Sequence, residues 1–445
     1  MQKKMRLSPT QVIAIGFVVM ILVGTLLLML PAASKSRESF GFFNALFTAT
    51  SASCVTGLIV ADTWTQFSLF GQLIIIILIQ IGGLGFMSIA MLLSLALGKK
   101  MGLRERSVLM ESVSSPSIGG AVPFMKRVLW GTLFIEGSGA VLLSLRFCPE
   151  FGFLEGIWYG IFHSVSAFCN AGFDLMGRFG QCSSLTYFQN DVYVNIVIML
   201  LIILGGIGFV VWEDVRINKL HLSKYMLHSK IMLAATGILI FVPALLFFIV
   251  ERDASMSDLS LGQRILASLF HSVSTRTAGF NTVDLAQLSA GGSLLSDVLM
   301  AVGAGAGSTA GGMKVSTFAL VVLGVIAFCR GKDEVEIFRR RIDAQQLKRA
   351  FCVAVYFVGI SLIGCIIILA AQPLELQDVL FEVFSATATV GLTTGITQSL
   401  VPISRIVIIL LMYSGRMGSI SVAMAVAERR NTAKLQKPIE KIIVG

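Results

Sequence analysis

Charge is scarce in this chain of 445 residues: Asp, Glu, Lys and Arg make up 13% of it, against roughly 25% in an ordinary soluble domain. Cysteines number seven and lie singly, with no CxxC pair. That excludes a zinc ribbon and gives no disulfide framework, so they read as small buried apolar residues. Only four histidines occur, and with Glu136 and Asp214 they form no catalytic set at useful spacing; the chain reads as a non-enzyme. No cleavable leader is evident. Lys3, Lys4 and Arg6 precede an apolar run from Val12 to Leu30 that is too long for a signal peptide. What abounds is apolar: 55% of residues, with mean hydropathy +0.84. The long apolar runs read as membrane spans.

One short pattern is written four times: Cys54-Val55-Thr56-Gly57, Cys169-Asn170-Ala171-Gly172, Arg276-Thr277-Ala278-Gly279 and Ala388-Thr389-Val390-Gly391. Each ends a run of small and hydroxylated residues, and successive glycines lie about a quarter of the chain apart. A repeat this long is a module rather than a solenoid unit. The modules expected are 1–98, 99–215, 216–330 and 331–428, with a tail over 429–445. Each reads as span, short apolar stretch, glycine pattern, span. First spans fall near 12–30, 122–145, 231–250 and 350–371. The short stretches, near 40–53, 153–168, 261–274 and 376–387, cannot cross a core of about 30 Å, which takes roughly 20 helical residues. They suit half-crossing, re-entrant helices. Second spans fall near 67–97, 192–212, 295–329 and 403–427.

The third of these second spans holds Gly303, Gly305, Gly307, Gly311 and Gly312. Each glycine costs a helix about 1 kcal/mol relative to alanine, so this stretch should break it. Gly82-Gly83-Leu84-Gly85, Gly205-Gly206-Ile207-Gly208, Gly311-Gly312-Met313-Lys314 and Gly415-Arg416-Met417-Gly418 fall in corresponding places, and most of these glycines read as close helix packing.

Basic residues give the orientation. Twenty-five Lys and Arg lie in the termini and in the linkers after each second span, against seven in the opposite loops. The positive-inside rule then puts both termini in the cytoplasm. The net charge of +10 is an inner-leaflet signature, not evidence for nucleic acid. Each module begins and ends inside, so all four are parallel, unlike the inverted repeats of rocking transporters. The fold expected is an all-α membrane protein with eight transmembrane helices and four re-entrant half-helices, pseudo-fourfold around a central pore. The four loops present carbonyl oxygens there that replace a cation's hydration shell. Glycine permits positive φ, which turns successive carbonyls to one side. With no carboxylate in the four patterns, a weakly hydrated monovalent cation fits better than a divalent one.

With four such units and one glycine pattern in each, the chain resembles the Trk/Ktr/HKT superfamily of potassium transporters over nearly its whole length. Cys54 to Gly57, Ser274 to Asn281 and the glycine-rich third span are most similar to the membrane subunit of bacterial Ktr systems. The resemblance implies channel-like potassium uptake across the plasma membrane, with filter glycines at Gly57, Gly172, Gly279 and Gly391. Sodium-selective plant relatives carry serine at the first of these, so Gly57 implies potassium. It also implies a gate over Gly303 to Gly312, including Ser308 and Thr309, with Lys314 nearby and Arg416 below the filter. A homodimer is implied, with a cytosolic RCK-type ring that binds ATP or ADP; potassium in the pore is the only ligand of this chain. The alternative is an ion-coupled sodium/potassium carrier. From the shared phenylalanine of each short stretch to the glycine is ten residues in modules one, two and four (Phe47, Phe162, Phe381) but nine in module three (Phe270), so the symmetry is approximate.

Several residues carry competing readings. His163 and His271, in matching Phe-His-Ser-Val-Ser strings, read as helix-lining polar groups rather than metal ligands. Arg276 either repels cations in the pore or points back to brace loop carbonyls. Glu136 is a functional acid, a hydrogen-bonded neutral one, or the partner of an arginine such as Arg276. Lys314 either reaches the vestibule or snorkels. Gly305 to Ala310 mimics a dinucleotide fingerprint without its βαβ context. The basic tail either serves the partner or binds anionic lipid.

Overall fold

The computed structural model describes residues 8–85, 120–219, 221–332 and 334–418. The basic linker 99–119, the far ends of two second spans and the tail 429–445 lie outside these residues. The described chain is helical apart from one two-stranded hairpin, Glu336–Ile337 with Arg340–Arg341.

A long helix, a short helix and an apolar second helix follow one another four times. The long helices are α1 (Pro9–Leu28), α5 (Ala121–Phe151), α9 (Leu227–Val250) and α13 (Ala344–Ala371). The short ones are α2 (Phe42–Cys54), α6 (Phe153–Phe168), α10 (Leu261–Ser274) and α14 (Leu376–Ala388). After α2, the described residues form one turn, α3 (Thr63–Gln66), and the apolar α4 (Leu69–Leu84). The remaining elements are α7 (Val192–Gly206), α8 (Phe209–Asn218), α11 (Ala290–Ala301), α12 (Val315–Cys329) and α15 (Pro402–Met417).

Local chemistry sets the starts. Ser8 and Gln11 form a capping box on α1, with Pro9 in its first turn. Ser68, Asp191 and Ser289 accept backbone N–H bonds at the starts of α4, α7 and α11. Glycine sets the ends: Gly85, Gly208 and Gly418, each at positive φ, follow α4, interrupt α7–α8 and follow α15.

Among the described residues four helices, α1, α5, α9 and α13, are long and apolar enough to cross a membrane, or five with the α7–α8 pair. Eight spans were expected; among the described residues the second stretches of units two and three are broken, and the far ends of those of units one and four lie outside the described residues. The stretch 192–212 is not one span, because α7 and α8 meet at 93°. The stretch 295–329 is two helices separated by irregular backbone over 302–314, as its five glycines demand. Outward faces of the long helices carry large apolar side chains such as Phe134 (75% exposed) and Val355 (71%), the pattern of a lipid-facing surface.

The short helices sit inside. Phe47, Phe162, Phe270 and Phe381 are wholly buried. Each long helix packs on the short helix that follows it, and each second helix packs on a short helix of the neighbouring unit: α4 on α6, α7 on α10, α11 on α14 and α15 on α2. The last contact closes the circle.

Glycine makes that approach possible. A β-carbon on Gly82 would lie 2.1 Å from the Ser53 carbonyl oxygen, on Gly205 1.8 Å from that of Phe168, and on Gly415 2.1 Å from that of Thr387. These three pack against the C-terminal turn of their own unit's short helix. The third copy of the pattern departs from the correspondence: Gly311 faces the Thr389 side chain and Gly312 the Ala388 carbonyl, both in unit four. Unit three's second helix has already ended at Ala301.

Candidate ion site

The four glycine patterns meet. A β-carbon on Gly57 would strike the Ala171 carbonyl oxygen at 2.5 Å, on Gly172 that of Ala278 at 2.8 Å, on Gly279 that of Val390 at 2.3 Å and on Gly391 that of Thr56 at 2.2 Å. Each glycine therefore abuts the carbonyl that precedes the next unit's glycine, and four contacts close a ring. All four glycines have positive φ: +96°, +67°, +81° and +96°.

Sequence reasoning placed a second set in the filter without foreseeing its backbone. Val55, Asn170, Thr277 and Thr389, each two residues before its glycine, also have positive φ. For side-chain-bearing residues this region costs of order 1–3 kcal/mol and collects at functional sites. Two such residues per strand, one apart, alternate the backbone's hand and turn neighbouring carbonyls to one side. A serine four residues after each buried phenylalanine fixes the loops. Ser51 and Ser385 hydroxyls each accept from the glycine N–H at 3.0 Å. Ser166 and Ser274 instead donate to the carbonyls of Phe173 and Phe280. The constant offset of these serines was the signal that could have found them. The ring therefore resolves into two kinds of strand, units one and four against units two and three. The shorter spacing in unit three has a local cause. Thr56, Ala171 and Val390 N–H groups reach back five residues to a serine carbonyl, whereas Ala278 reaches back four, to Ser274.

Above the ring a cavity of about 150 Å³ is lined by all four glycines and by Asp174, Asn281, Asp284 and Thr393. Asp174 lies in the loop beyond Gly172. Burial pushes its carboxyl up to about 7; Asp62 adds to the rise and the bond from the Met176 N–H opposes it. The short helices end at the ring, and their C-terminal dipoles bring partial negative charge there.

Below the ring, Ala301 to Val315 is a strap across three units. Gly305 N–H donates to the Gly206 carbonyl at 2.8 Å, Phe209 N–H to that of Gly307 at 2.8 Å and Gly312 N–H to that of Gly415 at 3.1 Å. Thr309 Oγ1 donates to the Phe168 carbonyl at 3.0 Å, and Ser308 Oγ to that of Gly305 at 2.6 Å. Gly303 N–H closes the strap on the Met313 carbonyl at 2.9 Å. The Arg416 guanidinium donates to the carbonyls of Thr309 and Gly82, and to that of Gly83 at 2.9 Å. It thus ties the strap to unit one. Lys314 Nζ folds onto the strap's own carbonyls, Ala310 at 2.7 Å and Gly311 at 3.2 Å.

Other expected residues settle differently. Asn170 meets Thr277 Oγ1 at 3.2 Å, and the amide orientation in which its oxygen accepts lets its nitrogen donate to Ile202 and Ala167. The loops of units two and three are thereby joined. Arg276 is 6% exposed; its Nε has no partner, and no ion pair or carbonyl brace from its side chain is found among the described residues. Glu136 does not pair with it and contacts Gln80 and Cys169 instead. His163 Nε2 accepts from Leu175 N–H at 3.3 Å, and His271 Nε2 meets Ser296 Oγ at 3.0 Å. Among the described residues no three His, Cys, Asp or Glu side chains gather as a metal site.

A shell of helices with apolar outward faces around a ring of backbone carbonyls and glycines defines the class as a multi-pass membrane protein. The chain belongs to the TrkH family of cation transport proteins, whose family model matches residues 4–437. It is 39% identical to the Ktr system potassium uptake protein B of Bacillus subtilis over all of this chain and 98% of that one. Identity is 41% with the potassium/sodium uptake protein NtpJ of Enterococcus hirae, over 99% and 98% of the two chains. The crystal structure of the potassium transporter TrkH from Vibrio parahaemolyticus matches with a TM-score of 0.74 at 17% identity, covering 96% of this chain and 86% of that one. The last comparison establishes a shared fold.

Proposed function

We propose that this protein carries potassium into the cell through a channel-like pore, with the glycine ring as filter and the 303–312 strap as gate. The closed ring of four glycines and four preceding carbonyls carries the reading. Its oxygens are neutral dipoles at fixed places, which favours a cation that sheds water cheaply. The ligands are the backbone oxygens of Val55 and Thr56, Asn170 and Ala171, Thr277 and Ala278, Thr389 and Val390. The four units are parallel modules, and both termini face the cytoplasm. The strap lies under the ring, and Arg416, a fixed cation on it, raises the barrier to passage. The names of the potassium uptake relatives support the choice of ion. Three relatives are described as parts of a Ktr system, which supports a separate regulatory partner; we read that partner as a cytosolic nucleotide-binding ring of the RCK type, with ATP and ADP binding there only, working on a homodimer of this chain.

A second reading is an ion-coupled carrier, favoured by the potassium/sodium description of the Enterococcus relative. Purified protein in liposomes separates the two. Potassium uptake down its gradient without sodium, saturating weakly, supports the channel; uptake that stops without sodium supports the carrier. No potassium flux with folded protein and partner present would refute both.

A further inference from the structure

Behind the ring, unit two holds a polar cluster that conduction itself does not use. Glu136, in the middle of α5, is 7% exposed. Gln80 of α4 donates through Nε2 to Glu136 Oε2 at 3.1 Å. The Cys169 thiol lies 3.7 Å from Glu136 Oε1 and 3.8 Å from Gln80 Oε1. Cys169 is the capping residue of α6 and opens the strand that ends at Gly172. Three elements from two units thus converge on one filter residue.

The neighbouring unit lacks the cluster. Ser164 Oγ donates to the Glu136 carbonyl at 2.7 Å, and its counterpart Ser272 donates to the Ile240 carbonyl at 2.7 Å. Those matched bonds align the two long helices and put Ile240 where Glu136 stands. In unit three Arg276 takes the place of Cys169. An acid inside a membrane helix is costly, so one kept against a filter strand points to a role there.

We infer that Glu136 and Gln80 are positioning residues for the unit-two filter strand, holding Cys169 from behind and thereby setting how strongly the ring rejects sodium. The inference rests on reading the ring as a potassium filter. Where oxygens held at one spacing fit one cation better than another, a strand that can shift weakens the discrimination between two cations of one charge. Cys169 is held by the acid–amide pair on one side. On the other lies Gly83, where a β-carbon would fall 2.7 Å from Cys169 Sγ. The Gly83 carbonyl is also held by Arg416 at 2.9 Å, so the brace and the strap's anchor share one support.

The test is the potassium/sodium uptake ratio of full-length protein in liposomes, at equal amounts of folded protein. Glu136→Leu and Cys169→Ala should each lower the ratio about fivefold, the worth of one net hydrogen bond. The double variant should fall no further than the worse single one, because both remove the same contact. Glu136→Gln keeps an acceptor for the thiol and a partner for Gln80, and should stay within about twofold of wild type. A folded Glu136→Leu protein with the wild-type ratio overturns the inference, as do multiplicative losses in the double variant. If Glu136→Leu does not fold, Gln80→Leu carries the test under the same criteria. Wild-type protein without potassium preference would instead refute the filter reading, and shows before any variant is made.

Discussion

At Gly57 two constraints act at once. Its φ of +96° is strained for any side chain, and a β-carbon there would meet the Ala171 carbonyl oxygen at 2.5 Å. A serine must push that oxygen away, and it belongs to the neighbouring strand. Gly57→Ser should therefore lower the potassium/sodium flux ratio about tenfold, a change worth about 1.4 kcal/mol, while protein yield stays near normal. Paired isotope uptake checks this; an unchanged ratio would remove Gly57 from the filter. Asp174 gives a pH dependence. Its carboxyl, raised to about 7 at the vestibule wall, loses charge as external pH falls through that value. Cation uptake should decline between about pH 8 and 6, because an anion near the entrance concentrates cations. Asp174→Asn should be low and flat across the same range. Glycines of this kind are legible in a sequence, since few residues tolerate such backbone. The positive φ of Val55, Thr277 and Thr389 was not legible. β-branched residues by themselves favour extended backbone, and only packing from all sides holds them here.

Among the elements, the short helices and their phenylalanines were legible from the length of the apolar stretches and the repeated place of the phenylalanine before each glycine. The second helices were legible only as apolar stretches. What stops α4, α7 and α15 is a glycine at positive φ and the neighbour packed beyond it, so the 93° bend between α7 and α8 was not foreseen. The strap shows both sides. Its glycines announced a break, but that it bonds to Gly206, Gly307–Phe209 and Gly415 depends on units distant in sequence. If it is the gate, deleting part of 303–312 should raise basal potassium flux at least severalfold and blunt control by nucleotide, with the ion ratio near wild type. Liposome uptake with and without partner decides it; flux as low as wild type assigns the gate elsewhere. Arg416→Ser removes the cation and its hydrogen bonds to Thr309 of the strap and to Gly82 and Gly83 of unit one, so flux should rise at equal folded protein. Lost transport in folded Arg416→Ser protein would make the arginine a support for the pore instead.

For the molecule as a whole, closure is the decisive property. Four units pack in a circle, each second helix on the next short helix, and the ring of carbonyls exists only when the circle is complete. A cytosolic partner that binds two positions of the strap differently would bias the gate. Potassium flux through purified protein should therefore respond to ATP and ADP only when the partner ring is added. A nucleotide response by this chain alone would contradict that division of labour. The sequence by itself determined the membrane class, the fourfold repeat, the positions of the ring glycines and the break in the third span, because hydropathy, repeat spacing and glycine's backbone freedom are properties of residues in order. Only the tertiary structure decided which carbonyl each glycine faces, that Arg416 bonds to Thr309 and Gly82, that Glu136 stands behind Cys169 and not beside Arg276, and that the ring pairs unit one with four and two with three. Those contacts join residues up to several hundred positions apart, and local preference carries no information about which of them will meet.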